Sequence, residues 1–220
     1  MRLIYYNRLV SFEILTGNHF AWRNEPLCFS IVMVSLLKEL LTGPIESNIM
    51  QKDERLLQTD QNLSWLPQPN EVRIVLSSQL PPGEMIATAL VLAFDRDCLL
   101  QTKLAARGWD IVGGHIEPGE SPEDAARREA YEEAGARLRE LHILGYQRLR
   151  LLGPRPASYR YSYPDSYQVF YWAQIEALDE FIPTEEARER ALFAPGDAHE
   201  LPFVRTLREL YLVALQAAMS

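Results

Sequence analysis

Three glutamates, Glu129, Glu132 and Glu133, stand at relative positions i, i+3 and i+4. In a helix this spacing puts all three carboxylates on one face, where they repel one another. A divalent cation removes that repulsion, and ligands that are all oxygen favour a hard ion, Mg²⁺ or Mn²⁺, over zinc. By itself, such a cluster is more typical of a solvated acidic helix face than of a metal site.

A glycine-rich loop directly before these glutamates changes that assessment. Residues 113–120, here called the box loop, read GGHIEPGE. Glycines are expected where the backbone must pass close to a ligand. Taken together, the loop and the glutamates predict a ligand site rather than a solvated face.

The segment that carries the glutamates has helix signals at both ends. Ser121 is a predicted N-cap, Pro122 suits the first helical position, and Gly135 suits the left-handed residue after the last turn. The sequence therefore predicts a helix over residues 122–134. A second stripe of small side chains would let this helix lie close against a sheet: Ala126, Ala130 and Ala134.

Seven residues between positions 114 and 136 fit the pattern G-x5-E-x7-R-E-U-x-E-E-x-G-U, where U is apolar. They are Gly114, Glu120, Arg128, Glu129, Glu132, Glu133 and Gly135, with Ala130 and Ala136 in the apolar places. On these residues the chain resembles the Nudix hydrolase family. The resemblance implies a Nudix-type α/β/α sandwich with a mixed β-sheet over residues 71–220.

The same resemblance implies a reaction. It is the Mg²⁺-dependent hydrolysis of a pyrophosphate bond in a nucleoside diphosphate linked to another moiety X, such as a modified nucleoside triphosphate or a nucleotide sugar. The sequence does not assign X. Mn²⁺ is the alternative ion. The implied metal ligands are the carboxylates of Glu129, Glu132 and Glu133 and the backbone carbonyl of Gly114.

Catalytic roles also follow from the resemblance. Arg128 is expected to orient a carboxylate by a charge-assisted hydrogen bond, and Glu120 to support the metal site. Glu132 is the first choice for the general base. Outside the motif, the alternative bases are Glu185, Glu186 and Glu189, each of which could equally be a solvated surface residue.

The base of the nucleotide is expected to extend over a neighbouring aromatic segment, residues 158–167. An aromatic face contributes about 1–3 kcal/mol when a base stacks on it, although loop packing or a homodimer contact would also explain these side chains. His115 is a candidate contact to phosphate. The candidate stacking residues are Tyr159, Tyr161, Tyr163 and Tyr167.

Composition limits the partners. A net charge of −8 over 220 residues disfavours a groove for long nucleic acids but leaves room for a small nucleotide. The longest apolar run, residues 27–37, is shorter than the roughly 20 residues that span a bilayer. Cys28 and Cys98 form no CxxC pair, which favours a reducing, cytoplasmic setting, with Cys98 in the core.

The N-terminal part carries no motif. Residues 1–70 are interpreted as an extension without assigned structure, and residues 1–49 could be a leader, because a polar segment restarts at Met50. Further along, strands are predicted at 71–77, 85–94, 98–101, 109–112 and 167–175. A partly helical acidic segment is predicted at 179–190, and a final helix at 202–219.

Two other functions are alternatives for a chain with this motif. A nucleotide-binding sensor that lost turnover would be expected to lack one of the motif glutamates, and this chain has all of them. An RNA 5′-end pyrophosphohydrolase would need a basic path for RNA, which the net acidity disfavours.

Overall fold

The computed structural model describes residues 54–220. The expectation of a leader over residues 1–49 lies outside the described residues. Within residues 54–220, no helix combines the length and hydrophobicity needed to cross a membrane.

Ten strands form a single mixed sheet with short side pairings. Its main order is β1-β2-β8-β9-β3-β4-β10, and β3 and β9 are the parallel neighbours within it. The strands are β1 (Arg55–Gln61), β2 (Asn70–Leu76), β3 (Ile86–Asp95), β4 (Cys98–Leu104), β5 (Gly108–Asp110), β6 (Val112–His115), β7 (Ala136–Leu138), β8 (His142–Leu151), β9 (Asp165–Leu178) and β10 (Ala187–Phe193).

Four helices lie on the two faces of this sheet. They are α1 (Pro122–Ala134), α2 (Pro195–Ala198), α3 (Pro202–Thr206) and α4 (Arg208–Ala218). On one face, the small residues Ala126 and Ala130 of α1 pack with Ala89 and Val91 of β3. Small residues on both sides allow a close approach, which brings α1 down onto β3 and β6.

The opposite face of the sheet is covered by the C-terminal helices. Leu92 and Phe94 of β3 pack there with Leu210 and Ala214 of α4. Strand β3 is therefore buried on both faces, as expected for a nearly continuous apolar run. This arrangement confirms the predicted α/β/α sandwich with a mixed sheet.

Two segments differ from the sequence-based expectations. Residues 179–190 contain no helix, and Ala187–Phe193 instead forms β10, which pairs with β4. The predicted last helix is interrupted at Leu207, whose φ of −119° is not helical. In both cases long-range packing outweighs local pattern, because an edge strand can be as polar as a solvated helix.

The N-terminal end of the described chain also belongs to the sheet. Strand β1 pairs with β2, although its polar sequence, RLLQTDQ, gave no strand signal. Cys98 is only partly buried, beside the β3–β4 turn, so the expectation of a core thiol there was wrong.

Candidate active site

Helix α1 begins and ends where the sequence predicts. The Ser121 hydroxyl accepts a hydrogen bond from the Asp124 backbone N–H at 3.1 Å, and Gly135 adopts the left-handed conformation with φ of 60°. These two ends set the register of the helix. They therefore determine which side chains face the box loop.

The box loop crosses directly over α1 because two of its residues have no side chain. Gly113 and Gly114 belong to β6 and pair with Leu90 and Ala89 of β3. A Cβ atom on Gly114 would overlap the carboxylate of Glu129. A Cβ on Gly113 would overlap the backbone of β3. Glycine is therefore required at both positions for the helix, the loop and the sheet to meet.

Glu133 is the buried carboxylate of the site. It is 8% exposed and accepts a hydrogen bond from the Gly113 N–H at 3.1 Å. Burial raises the pKa of its carboxyl to about 7, the hydrogen bond from Gly113 opposes that rise, and the negative charge of Glu129 adds to it. The surroundings of Glu133 therefore favour either protonation of its carboxyl or binding of a cation beside it.

Arg128 connects the other carboxylates of the motif. Its guanidinium donates two hydrogen bonds to Glu120, at 2.9 and 3.0 Å, and one each to Glu129 and Glu132, at 2.9 and 3.1 Å. It also donates to the backbone carbonyl of His115 at 3.0 Å. The hydrogen bonds from Arg128 lower the pKa of Glu120. The predicted orienting residue thus ties the box loop to α1.

The carboxylates differ in access to solvent. The side chain of Glu129 is 17% exposed, whereas that of Glu132 is 58% exposed. Within residues 54–220, no three His, Cys, Asp or Glu side chains converge as a ready metal cage. In this arrangement Glu129 and Glu132 both accept hydrogen bonds from Arg128, and their carboxylates do not converge on a common metal position.

The three glutamates considered outside the motif occupy different surroundings. Glu189 forms an ion pair with Lys103 at 2.6 Å, and Glu185 is exposed in the loop before β10. Glu186 lies near enough to Glu133 for its charge to contribute to the raised pKa of that group, after the larger effects of burial and Glu129. Among these three, Glu186 is the one whose charge acts on Glu133.

The four candidate tyrosines make different contacts. Tyr159 is buried and shares a hydrogen bond of 3.0 Å with Ser166. Tyr163 donates to the Gly153 carbonyl, and Tyr167 packs edge-on against the ring of Tyr146.

Tyr161 is the one of the four that reaches the box loop. Its hydroxyl lies 2.7 Å from Nε2 of His115, and the two rings are stacked with an angle of 7° between their planes. Both residues line a cavity of about 390 Å³ that also reaches Gly113.

Other side chains in this cavity were not identified from the sequence. They come from distant parts of the chain: Trp65, Thr88, Arg107, Asp110, Gln147 and Gln168. Arg107 and Asp110 form an ion pair at 3.1 Å, and burial raises the pKa of the Asp110 carboxyl. In the sequence, a residue of this cavity could have been recognised as a polar residue at an inward position of an otherwise apolar strand, as at Thr88 in β3.

Comparison with known proteins identifies relatives of this chain. The NUDIX domain model matches residues 84–213, more than half of the 220 residues. A protein of Bacillus subtilis (strain 168) named "Putative 8-oxo-dGTP diphosphatase YtkD" is 35% identical over 103 residues. That match covers 47% of this chain and 56% of YtkD, so the chain spans just over half the length of that relative.

Solved structures resemble this chain to different extents. A mutant of the Bacillus subtilis pyrophosphohydrolase BsRppH aligns with a TM-score of 0.54 at 24% identity, covering 74% of this chain and 98% of its own. An ADP-ribose pyrophosphatase of Streptococcus suis 89-1591 aligns with a TM-score of 0.44 at 19% identity, covering 62% and 93%. The BsRppH likeness supports the sandwich fold. By the match over residues 84–213, the chain belongs to the NUDIX domain family.

Proposed function

We propose that this chain hydrolyses a pyrophosphate bond in a nucleoside diphosphate linked to another moiety, with Mg²⁺ or Mn²⁺ as cofactor. The observation that carries the proposal is the contact between the box loop and α1. There the Glu129 carboxylate lies against Gly114, and the buried Glu133 accepts a hydrogen bond from Gly113.

The chemistry of these groups fits a hard divalent cation. The donors are carboxylate and carbonyl oxygens, which Mg²⁺ and Mn²⁺ prefer, and the Glu129 carboxylate can lie against Gly114 because that residue lacks a Cβ. Glu129, Glu133 and the Gly114 carbonyl would hold the ion. When bound, such an ion neutralises charge on the pyrophosphate oxygens and makes water a stronger nucleophile.

The protein groups have separate roles in this reaction. Glu132 is exposed and is proposed as the general base that accepts a proton from the attacking water. Arg128 holds Glu129 and the box loop in register. Arg107, which lines the cavity, offers a fixed positive charge toward the phosphates.

The substrate is proposed to be a small nucleotide. The name of YtkD puts 8-oxo-dGTP first among the substrates to be tried, and it is a modified nucleoside triphosphate of the kind that the motif predicts. Nucleotide sugars and other nucleoside diphosphate derivatives form the rest of the panel.

Hydrolysis of such a panel with Mg²⁺, with the products identified, tests the proposal. We expect release of a nucleotide and a phosphorylated product, and Glu133→Gln should stay folded while kcat falls by at least about 10². Wild-type turnover by Glu133→Gln at saturating Mg²⁺ would contradict the assignment. Binding of nucleotides without turnover by the native protein would favour a sensor instead.

Replacement of Gly114 by alanine tests the metal site without relying on activity. Its Cβ would displace the Glu129 carboxylate, so we expect Mn²⁺ affinity to fall by about 10- to 100-fold. Calorimetric titration with Mn²⁺ measures this change. Gly83→Ala is the matched control, because nothing lies within 4 Å of its added Cβ. Equal Mn²⁺ affinity in both variants would place the metal elsewhere.

A further inference from the structure

A row of polar side chains crosses the sheet beside the box loop. In the strand pairings, His115 lies opposite Thr88, Thr88 opposite Gln168, and Gln168 opposite Gln147. The last three line the cavity on the face that the C-terminal helices cover further along. Three spacings between neighbouring strands, about 14 Å in all, separate His115 from Gln147.

His115 pairs with Tyr161, whereas the other three side chains of the row line the cavity. Gln147 is 9% exposed and Thr88 is 8% exposed. Within residues 54–220, the two glutamine amides and the Thr88 hydroxyl make no side-chain hydrogen bonds to protein groups. None of these polar atoms is among the enclosed, unpartnered atoms of the described chain, so they remain accessible from the cavity. A ligand that supplied donors and acceptors to this row would pair with them in place of water.

One wall of the cavity is Trp65, in the loop between β1 and β2. Its side chain is 56% exposed, yet its loop is firmly held. The fully buried Asn70 donates to the carbonyls of Leu63 and Leu66 and accepts from the Leu63 N–H, and Leu66 packs into the core. An indole held in place and left open to solvent is suited to stacking on a flat ligand.

The two ends of the cavity differ in chemistry. Gly113 and Arg107 line it near the proposed site of hydrolysis, where a phosphate would lie. Trp65 and Gln147 line it away from that site. The distance across the row, about three strand spacings, is close to the reach of an extended nucleotide from its phosphates to its base.

We propose that the cavity binds the purine base of the substrate, with Trp65 stacked on the ring and Gln147 and Gln168 hydrogen bonded to its edge. Each amide offers one donor group and one acceptor, the combination that pairs with adjacent acceptor and donor atoms of a purine. A purine offers a larger aromatic face than a pyrimidine to the Trp65 indole, which favours purines. Trp65 lies before residues 84–213, the region that the NUDIX domain model matches.

This inference rests on the proposed function, and binding of nucleoside monophosphates separates the two. AMP, GMP, CMP and UMP contain no pyrophosphate bond, so their affinities can be measured by calorimetry without hydrolysis. We expect AMP or GMP to bind at least tenfold more tightly than CMP and UMP. Trp65→Ala should weaken purine binding by about tenfold or more, as expected for a lost stacking contact. Gln168→Leu should reduce the preference for purines.

Leu152→Ala is the matched control, since Leu152 is a similarly exposed apolar residue outside the cavity lining. Thermal unfolding of each variant confirms that it is folded. Unchanged purine affinity in both Trp65→Ala and Gln168→Leu would overturn the proposal, as would equal affinity for purines and pyrimidines or no binding at millimolar concentrations. If purines bind as expected but no nucleotide is hydrolysed, the base site stands and the proposed reaction fails.

Discussion

The glutamates of α1 have the same chemical type but very different surroundings. Glu133 is buried against the Gly113 N–H, Glu129 lies over Gly114, and Glu132 is largely in solvent. Burial disfavours an ionised carboxylate, whereas exposure leaves it free to exchange protons. Position on the helix thus determines the proposed role of each carboxylate: Glu129 and Glu133 are suited to binding a metal, and Glu132 is suited to proton transfer.

The raised pKa of Glu133 predicts how the metal-free protein responds to pH. Its pKa of about 7 in the folded state exceeds the ordinary value of 4.5, so between these values the folded state binds more protons than the unfolded state. The free energy of unfolding therefore falls as pH rises through this window, by up to about 3 kcal/mol from this group.

Glu133→Gln removes this ionisation. With a chelator present, we expect the variant to be more stable than the native protein at pH 8, and the difference to shrink toward pH 4.5. Urea unfolding over that range measures it. The exposed Glu132→Gln is the control, with a smaller change. A stability difference for Glu133→Gln that does not vary with pH would contradict the burial argument.

At the scale of elements, the pairing of β10 with β4 positions the glutamates outside the motif. The backbone carbonyl of Glu186 accepts a hydrogen bond from the Ala105 N–H, which fixes the start of β10 near α1. Glu189, three residues later, is paired with Lys103 instead. A helix over the same residues would have arranged these carboxylates differently.

Comparison of two variants tests which glutamate is the base. We expect Glu132→Gln to lower kcat by at least about 10², and Glu186→Gln to keep kcat within about threefold, because its proposed effect is only to add negative charge near Glu133. Steady-state kinetics at pH 8 measures both, with Glu189→Gln as a matched control. A loss confined to Glu186→Gln would make Glu186 the general base in place of Glu132.

At the scale of the whole molecule, the sheet extends beyond the region that carries the motif. Strand β1 pairs with β2, and the loop between them contributes the buried Leu66 to the core beneath the C-terminal helices. This segment therefore links the outer edge of the sheet to the wall of the cavity. The domain boundary expected at residue 71 would separate Leu66 and Trp65 from the rest.

Two shortened chains test the contribution of this segment. Compared with a chain beginning at Met50, a chain beginning at Asn70 loses β1 and the buried Leu66. We expect it to be less stable by at least about 2 kcal/mol, the scale for removing a buried leucine. Urea unfolding measures the difference. Equal stability of the two chains would show that β1 and its loop add nothing to the fold.

The ends of α1, the spacing of its glutamates and the glycines above it were predictable from sequence because each depends on neighbours within a few residues. Capping needs a hydroxyl three residues from an N–H, and a shared helix face needs only the intervals i, i+3 and i+4. The family pattern added the expected sandwich, and the family match agrees with it.

The tertiary structure alone decided what surrounds those glutamates. Thr88 and Gln168 meet because β3 and β9 pair across 80 residues of chain, and Trp65 joins them through a loop that Asn70 holds from within. Tyr161, rather than its three neighbouring tyrosines, reaches His115. No local sequence pattern predicts these long-range contacts, because strand pairing and register depend on the burial of the whole sheet.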